Sequence, residues 1–515
     1  MSPGIRVGNS LVVAYIAAIA ADQPEGARIF YCWQLLTYIN VQGATADAIR
    51  GPCRSAEVRY IIFDGSMKGD IDMKVTSRGW SCDLMSAGWP ALMLMIVASG
   101  GLRAQTPPHT SSHGDVTFTK DVAPILQGSC QDCHRPNAIA PMSLLTYEEV
   151  RPWAKAIREK VAMRMMPPWY VDPDVGINRF KNDGGLSNKE IATIVEWVDA
   201  GAPKGNPADM PPPVKFDDDK WKIGTPDLVI SLPEDLIVPG KAPDMWKNIV
   251  LDPGLTEDRY LQAVEVKPTK GRRVLHHTGN TLIYPDGQLA AMQAKNGNIF
   301  EEGSGMLMKA GTKVLFNLHI HPYREDTATN VALGLKFYPK GYVPKYAAVT
   351  ELMGDDYELD LPPNSDNIRT DSYLTLTKPT RLLSFAPHMH TRGKAMCLEV
   401  IYPEKSRQRD GSKIETLNCA NNFNFNWMMV YEYATEAQPL LPAGSVLHFI
   451  GWHNNTGGNK LNLDPDNWIG YGQRSIDDMS VAWITYYTMS EDDFRQAVSE
   501  RRGKSSTTVS QNVGK

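Results

Sequence analysis

Strong charge of either sign is missing from this chain. Over 515 residues the formal net charge is −5, which gives no reason to expect nucleic acid or an anionic membrane as a partner. The apolar run "SAGWPALMLMIVASGG" at 86–101 is too short to cross a bilayer comfortably, so the mature protein is expected to keep no stable membrane span. Cysteine is scarce, at seven, and three of these (Cys32, Cys53 and Cys82) fall in the first hundred residues. Histidine is scarce as well, at eleven, so wherever it gathers a reason is needed.

The length suggests about three domains. With 42% hydrophobic and 22% charged residues, the composition is that of an ordinary globular protein. Lys74 and Arg78 precede the apolar run and "LRAQ" follows it, the layout of a secretory signal over 73–104 that starts at Met73 or Met85. It closes a poorly defined extension, 1–104. A competing signal lies at the N-terminus, where Arg6 precedes "LVVAYIAAIAA". Both predict export, to a periplasm or the cell exterior; the bland alternative is a buried core helix.

Residues 130–134 read "CQDCH". This is the CxxCH pattern of covalent haem attachment, in which the thiols of Cys130 and Cys133 add to the haem vinyl groups and His134 takes an axial iron position. A helix is predicted over "FTKDVAPILQGSC". Two more open with capping boxes, Thr146 with Glu149 and Ser187 with Glu190. The last carries Ile191, Ile194, Val195 and Val198 on one stripe and stops at Gly201. Helices on both sides of CxxCH, over 115–205, resemble a class I cytochrome c, which implies a methionine as second axial ligand. In "RMMPPW" Met166 is preferred to Met165, because the following prolines hold the backbone extended, and Met142 is the runner-up. A zinc site would lack a second CxxC or a His-x-x-x-His partner.

The Pro- and Asp-rich stretch at 206–224 reads as a linker. After about residue 225, short β-branched runs separated by Gly and Pro predict strands, in two sandwiches over 225–350 and 351–495, followed by a disordered polar tail, 496–515. The expectation is a multidomain chain, an all-α cytochrome c domain followed by two all-β sandwiches.

Histidine gathers in this β-rich half: His276 and His277 side by side, His319 and His321 in "FNLHIHPY", His388 and His390 in "SFAPHMHTRG". On a strand, a His-x-His pair points both imidazoles to one face. Adjacent histidines share an ion only at a strand end or a bulge, so a backbone distortion is predicted at His276 and His277. No Asp or Glu lies inside the pairs, which argues against magnesium, calcium and a two-His-one-carboxylate iron and leaves copper or zinc. Met479, directly after two acids in "GQRSIDDMSVAW", adds a thioether that favours Cu(I). The bland readings are a surface strand that happens to carry two histidines, and a core methionine.

In order and rough spacing, "HH", "FNLH", "PHMHTRG" and "DDM" resemble the copper type II monooxygenases, the family of peptidylglycine α-hydroxylating monooxygenase and dopamine β-monooxygenase, over about residues 225–490. The fusion to an exported cytochrome c is similar to proteins seen in bacteria. The resemblance implies two jelly-roll-like sandwiches with one copper each and an open solvent cleft between. It assigns His276, His277 and His319 to an electron-storing copper. His388, His390 and Met479 would hold the copper at which O₂ hydroxylates a substrate C–H bond, the substrate being an unknown small organic molecule or peptide. The fusion implies one haem c and electrons from a donor protein or a quinol-linked chain. Ala386 stands where a substrate-binding arginine would, which disfavours peptidylglycine.

Three rivals remain. A cytochrome-fused multicopper oxidase or nitrite reductase needs a type 1 copper, yet neither Cys397 nor Cys419 has a histidine two to five residues downstream. A zinc hydrolase needs a Glu base beside the histidines. A non-catalytic copper-binding or electron-transfer protein would keep the ligands alone. Cys397 and Cys419 flank a predicted hairpin and suit a disulfide in an oxidising compartment, and His448 and His453 read as structural.

Overall fold

The computed structural model describes residues 116–294, 297–354, 358–404 and 413–512, with side chains to 503. The predicted signal and extension (1–104), with Cys32, Cys53 and Cys82, lie outside the described residues.

Period-two patterning builds most of the molecule. In strand Lys313–Ile320, Val314, Phe316 and Leu318 are fully buried on one face, so alternation places Leu315, Asn317 and His319 on the other. This strand lies in a four-stranded sheet, in the order Met245–Leu251, Lys313–Ile320, Leu275–Ile283, Leu289–Met292. A second four-stranded sheet runs Ile368–Thr375, Val446–His453, Gly393–Ile401, Ile414–Ala420. Each shares a core with one half of a long eleven-stranded sheet, giving two β-sandwiches.

The halves are not separated by a linker. Strand Tyr346–Met353 pairs in parallel with Ser304–Met308 of the first half and antiparallel with Ser480–Thr488 of the second. Its Ala348 belongs to the first core and its Met353 to the second, so the boundary predicted at 350/351 falls inside a strand that serves both.

The helical part is small. Helices Ala123–Ser129, Tyr147–Val150, Ala154–Ala162 and Asn188–Asp199 close on Phe118, Leu126, Ile194 and Trp197. Both predicted capping boxes form, and Gly201 ends the last helix at φ +88°, a conformation that glycine adopts without strain. Trp197, fully buried three residues after Ile194, is the core residue the predicted stripe left out.

Two segments depart from the predicted modules. Tyr170, Val171 and Phe180, expected with the helices, pack into the second β core, where Val171 bridges to Ala420 and Phe180 to Tyr433. The predicted linker is docked. The Lys222 and Ile223 amides donate to Glu265 Oε2 at 2.6 and 3.2 Å, and Arg135 lies 4.5 Å above the Phe216 ring. Among its apolar residues, Phe216, Trp221 and Ile223, with Met210 against the helical core, supply the reason to bind. At the other end, helix Glu491–Asn512 occupies most of the expected tail; the Asp493 amide donates to Ser490 Oγ, and acids fill the first turn. Among the described residues no helix is long and apolar enough to cross a membrane.

Candidate metal centre

The register between strands Leu275–Ile283 and Lys313–Ile320 slips between Leu275 and His277, so His276 is the extra residue of a β-bulge. The predicted distortion is there. It lets both neighbours turn to one side, where His277 is the cross-strand partner of His319. His276 Nδ1 lies 3.1 Å from His277 Nδ1 and 3.2 Å from His319 Nδ1. One ligand atom from each of the three residues lies within 4.8 Å of the others, so the cluster could hold a metal ion. His319 Nε2 faces Asp244 Oδ2 at 3.1 Å, so its proton sits on Nε2 and its Nδ1 carries a lone pair. His276 Nδ1 cannot donate to His319 and also accept from His277. Nitrogens each about 2.0 Å from one ion would stand about 3.3 Å apart, so the three imidazoles fit a bound transition metal.

Asp244 was not legible as part of the site. It lies two residues before Trp246, which pairs with His319 across the sheet and stacks on its ring at 4.3 Å. Its other oxygen takes His321 Nδ1 at 2.7 Å, so His321, the second histidine of the His-x-His pair, is turned to the carboxylate. The two imidazoles, His319 foremost, hold Asp244 well below the usual carboxylate range.

His388 is the penultimate residue of strand Thr380–Met389 of the long sheet and His390 directly follows the strand; the rings lie 5.3 Å apart. Met479 precedes strand Ser480–Thr488, whose Val481 pairs with His388. His390 Nδ1 meets the Asp477 carbonyl at 3.2 Å, leaving Nε2 as the nitrogen with a lone pair. Burial pushes His388 well below its ordinary pKa and lowers His390, so both are neutral imidazoles able to ligate. Asp478, fully buried, explains the acids before Met479. Its carboxylate accepts the backbone amides of His390, Arg392 and Met479 at 2.8 to 3.0 Å and fixes the loop that presents these residues. The sets differ from the implied open cleft: the His277 and His388 rings are 6.1 Å apart, and Phe425 lies against His276 and His390 at 5.2 and 5.6 Å. His388, His390, Met479 and His277 line one cavity of about 450 Å³.

At the helical part, Cys130 and Cys133 are free thiols. Burial pushes the Cys130 thiol up to about 12. His134 Nδ1 meets the Met142 carbonyl at 3.2 Å, leaving Nε2 available. These are features a c-type haem would use. What ties Met166 to this centre is its sequence position; it is half-buried, with its amide on the Lys160 carbonyl. Met142, the runner-up, packs against the helical core. Arg273, three residues before His276, donates to the carbonyls of Ala138 and Ala140 in the loop after CxxCH. A cavity of about 580 Å³ is lined by Asp132 and Ile139 on one side and by His276 and His277 on the other.

His448 is held by Asp371 and Glu399, and His453 meets the Met479 carbonyl at 3.2 Å. Cys397 and Cys419, cross-strand partners, form a disulfide.

No family model matches the chain. No curated protein matches it either. Among solved structures it is similar to the major capsid protein P2 of bacteriophage PM2, with 9% identity, 51% of this chain and 98% of that one covered, and a TM-score of 0.23. The infectious bursal disease virus Gx strain gives 10% identity, 51% and 77% coverage and 0.15; a Paenibacillus xanthan lyase gives 12%, 56% and 27%, and 0.14. Likeness at this level carries no argument about function.

Proposed function

We propose that the chain is an exported, copper-dependent monooxygenase that hydroxylates a substrate C–H bond and draws electrons through a c-type haem. The observation that carries this reading is the convergence of three Nδ1 atoms of His276, His277 and His319 beside a second set, His388, His390 and Met479, on the wall of a cavity large enough for a small molecule. Copper at the first set would store an electron, copper at the second would activate O₂, and haem at Cys130, Cys133 and His134 would relay electrons.

The protein's own contribution is orientation and exclusion of water. Asp244 keeps the His319 proton on Nε2, and the Asp477 carbonyl keeps the His390 proton on Nδ1. Asp478 accepts both the His390 and the Met479 amides, so one carboxylate positions the backbone of both residues. Trp483 packs edge-on against His388 at 5.1 Å and shields it from bulk water. Arg273 ties the CxxCH loop to the strand of His276, which supports electron delivery at the first set. The disulfide takes both β-domain cysteines, which weighs against a type 1 copper. The two sandwiches are compatible with the jelly-roll-like arrangement that the resemblance implies.

One observation favours a second reading. Histidine sets this close would also suit a protein that only stores or passes electrons. Oxygen uptake separates the two. The full chain, carrying haem and copper and supplied with a one-electron donor, should consume O₂, and His388→Ala should abolish uptake while leaving haem absorbance unchanged. Absence of uptake by the parent would favour electron storage.

A further inference from the structure

The cavity beside His388 has a chemical character of its own. Among the described residues that line it there is no Asp, Glu, Lys or Arg. Leu352, Met428, Met429, Val481 and Trp483 form its apolar wall. Its polar groups are neutral: Thr278, the carboxamides of Gln293 and Gln473, and the pair Asn317 and Asn248, bonded to each other at 2.6 Å. Among the described residues, four nearby charged groups are engaged elsewhere. Asp244 meets His319 and His321, Asp477 pairs with Arg474, Asp478 holds backbone amides, and buried Arg392 is bound to Asn455 and to main-chain carbonyls.

A charged ligand placed here would lose its hydration without meeting an opposite charge, which is unfavourable. A neutral ligand loses only apolar hydration, which is favourable, and its polar atoms meet carboxamides that both donate and accept. Metal bound at His388 and His390 adds positive charge to one wall. That disfavours an ammonium further, and a carboxylate drawn to the metal would compete with O₂ rather than present a C–H bond.

We propose that this cavity selects a neutral, largely apolar substrate with an amide, carbonyl or hydroxyl group, and rejects carboxylates and ammonium ions. The inference rests on the monooxygenase reading for the word substrate, while the charge selection stands on the lining.

Three probes of one skeleton test it: phenylacetamide, phenylacetate and phenethylammonium. Binding to the full chain is followed by tryptophan fluorescence, since Trp246 and Trp483 line the cavity, with copper loaded and with copper removed. The amide should bind at least about tenfold tighter than phenethylammonium in both states, and than phenylacetate in the copper-free chain. Gln293→Arg, which adds a cation to the wall, should raise phenylacetate affinity about tenfold. A charged probe that binds the copper-free parent as tightly as the amide, or an amide that does not bind, would overturn the proposal. Amide binding without O₂-dependent hydroxylation would leave the selection standing and sink the oxygenase.

Discussion

The ring of His277 stands 6.1 Å from that of His388, although the two residues belong to different sheets and different sandwiches. One follows a β-bulge in a small sheet; the other is the penultimate residue of a strand of the long sheet. Two further contacts cross the same gap. Phe425 touches His276 and His390, and Ser475, in the loop that leads to Met479, donates to Asp244 Oδ2 at 3.1 Å. Each ligand set is therefore oriented partly by the other half of the protein.

Asp244→Asn should weaken copper at the first set selectively. The Asn side chain keeps one neutral acceptor oxygen in place of the two charged ones that hold His319 and His321, and weakening such a partner typically costs 10–100-fold in metal affinity. Competition with a chelator should show one copper released about that much more easily and the other unchanged.

Arg273→Ala should leave haem and copper content intact and slow electron transfer from haem to copper about tenfold or more, because the CxxCH loop loses its two bonds to the strand of His276. Stopped-flow reoxidation of the haem reads this. Arg273→Lys, with one compact charge in place of a fork, should recover part of the rate.

Removing the Cys397–Cys419 disulfide by a double serine substitution should cost about 3 kcal/mol, as expected for a closed loop of this size with a sequence separation of 22. Urea unfolding of the second sandwich should shift accordingly, and reductant should destabilise the parent but not the variant.

The contribution of Glu432 to stability should fall as pH rises from 4.5 to about 7. Burial, with Glu301 nearby, lifts the Glu432 carboxyl from 4.5 to about 7 despite the attraction of Lys181. A carboxyl whose pKa is raised by folding contributes stability that is fully present below its unfolded value and lost as pH climbs through the folded one. Glu432→Gln should flatten that slope and gain at most about 3 kcal/mol at pH 8, measured by urea unfolding across the range.

What was legible in the sequence was local. The capping boxes at Thr146 and Ser187, the bulge at His276 and the pairing of Cys397 with Cys419 each follow from residues within a short span or across one hairpin. What was not legible depends on strands brought together from afar. Asp244 is 75 residues from His319, and Ser475 is 231 from Asp244. No spacing in "PDMW" or "GQRSIDDM" marks those partners. The strand Tyr346–Met353 hid the continuity of the long sheet for the same reason: pairing with neighbours on both sides leaves no trace in its own pattern. The docking of segment 206–224 left no mark in its Pro- and Asp-rich composition, because Phe216, Trp221 and Ile223 find a surface only in the folded protein.

The central claim is that two side-chain sets each hold one copper. Elemental analysis of the full chain, exported with its haem and loaded with copper, tests it when run beside His319→Ala and His388→Ala. Two coppers per haem in the parent and one in each variant is the expected result. Zinc in place of copper, or a single copper lost in both variants alike, would contradict it.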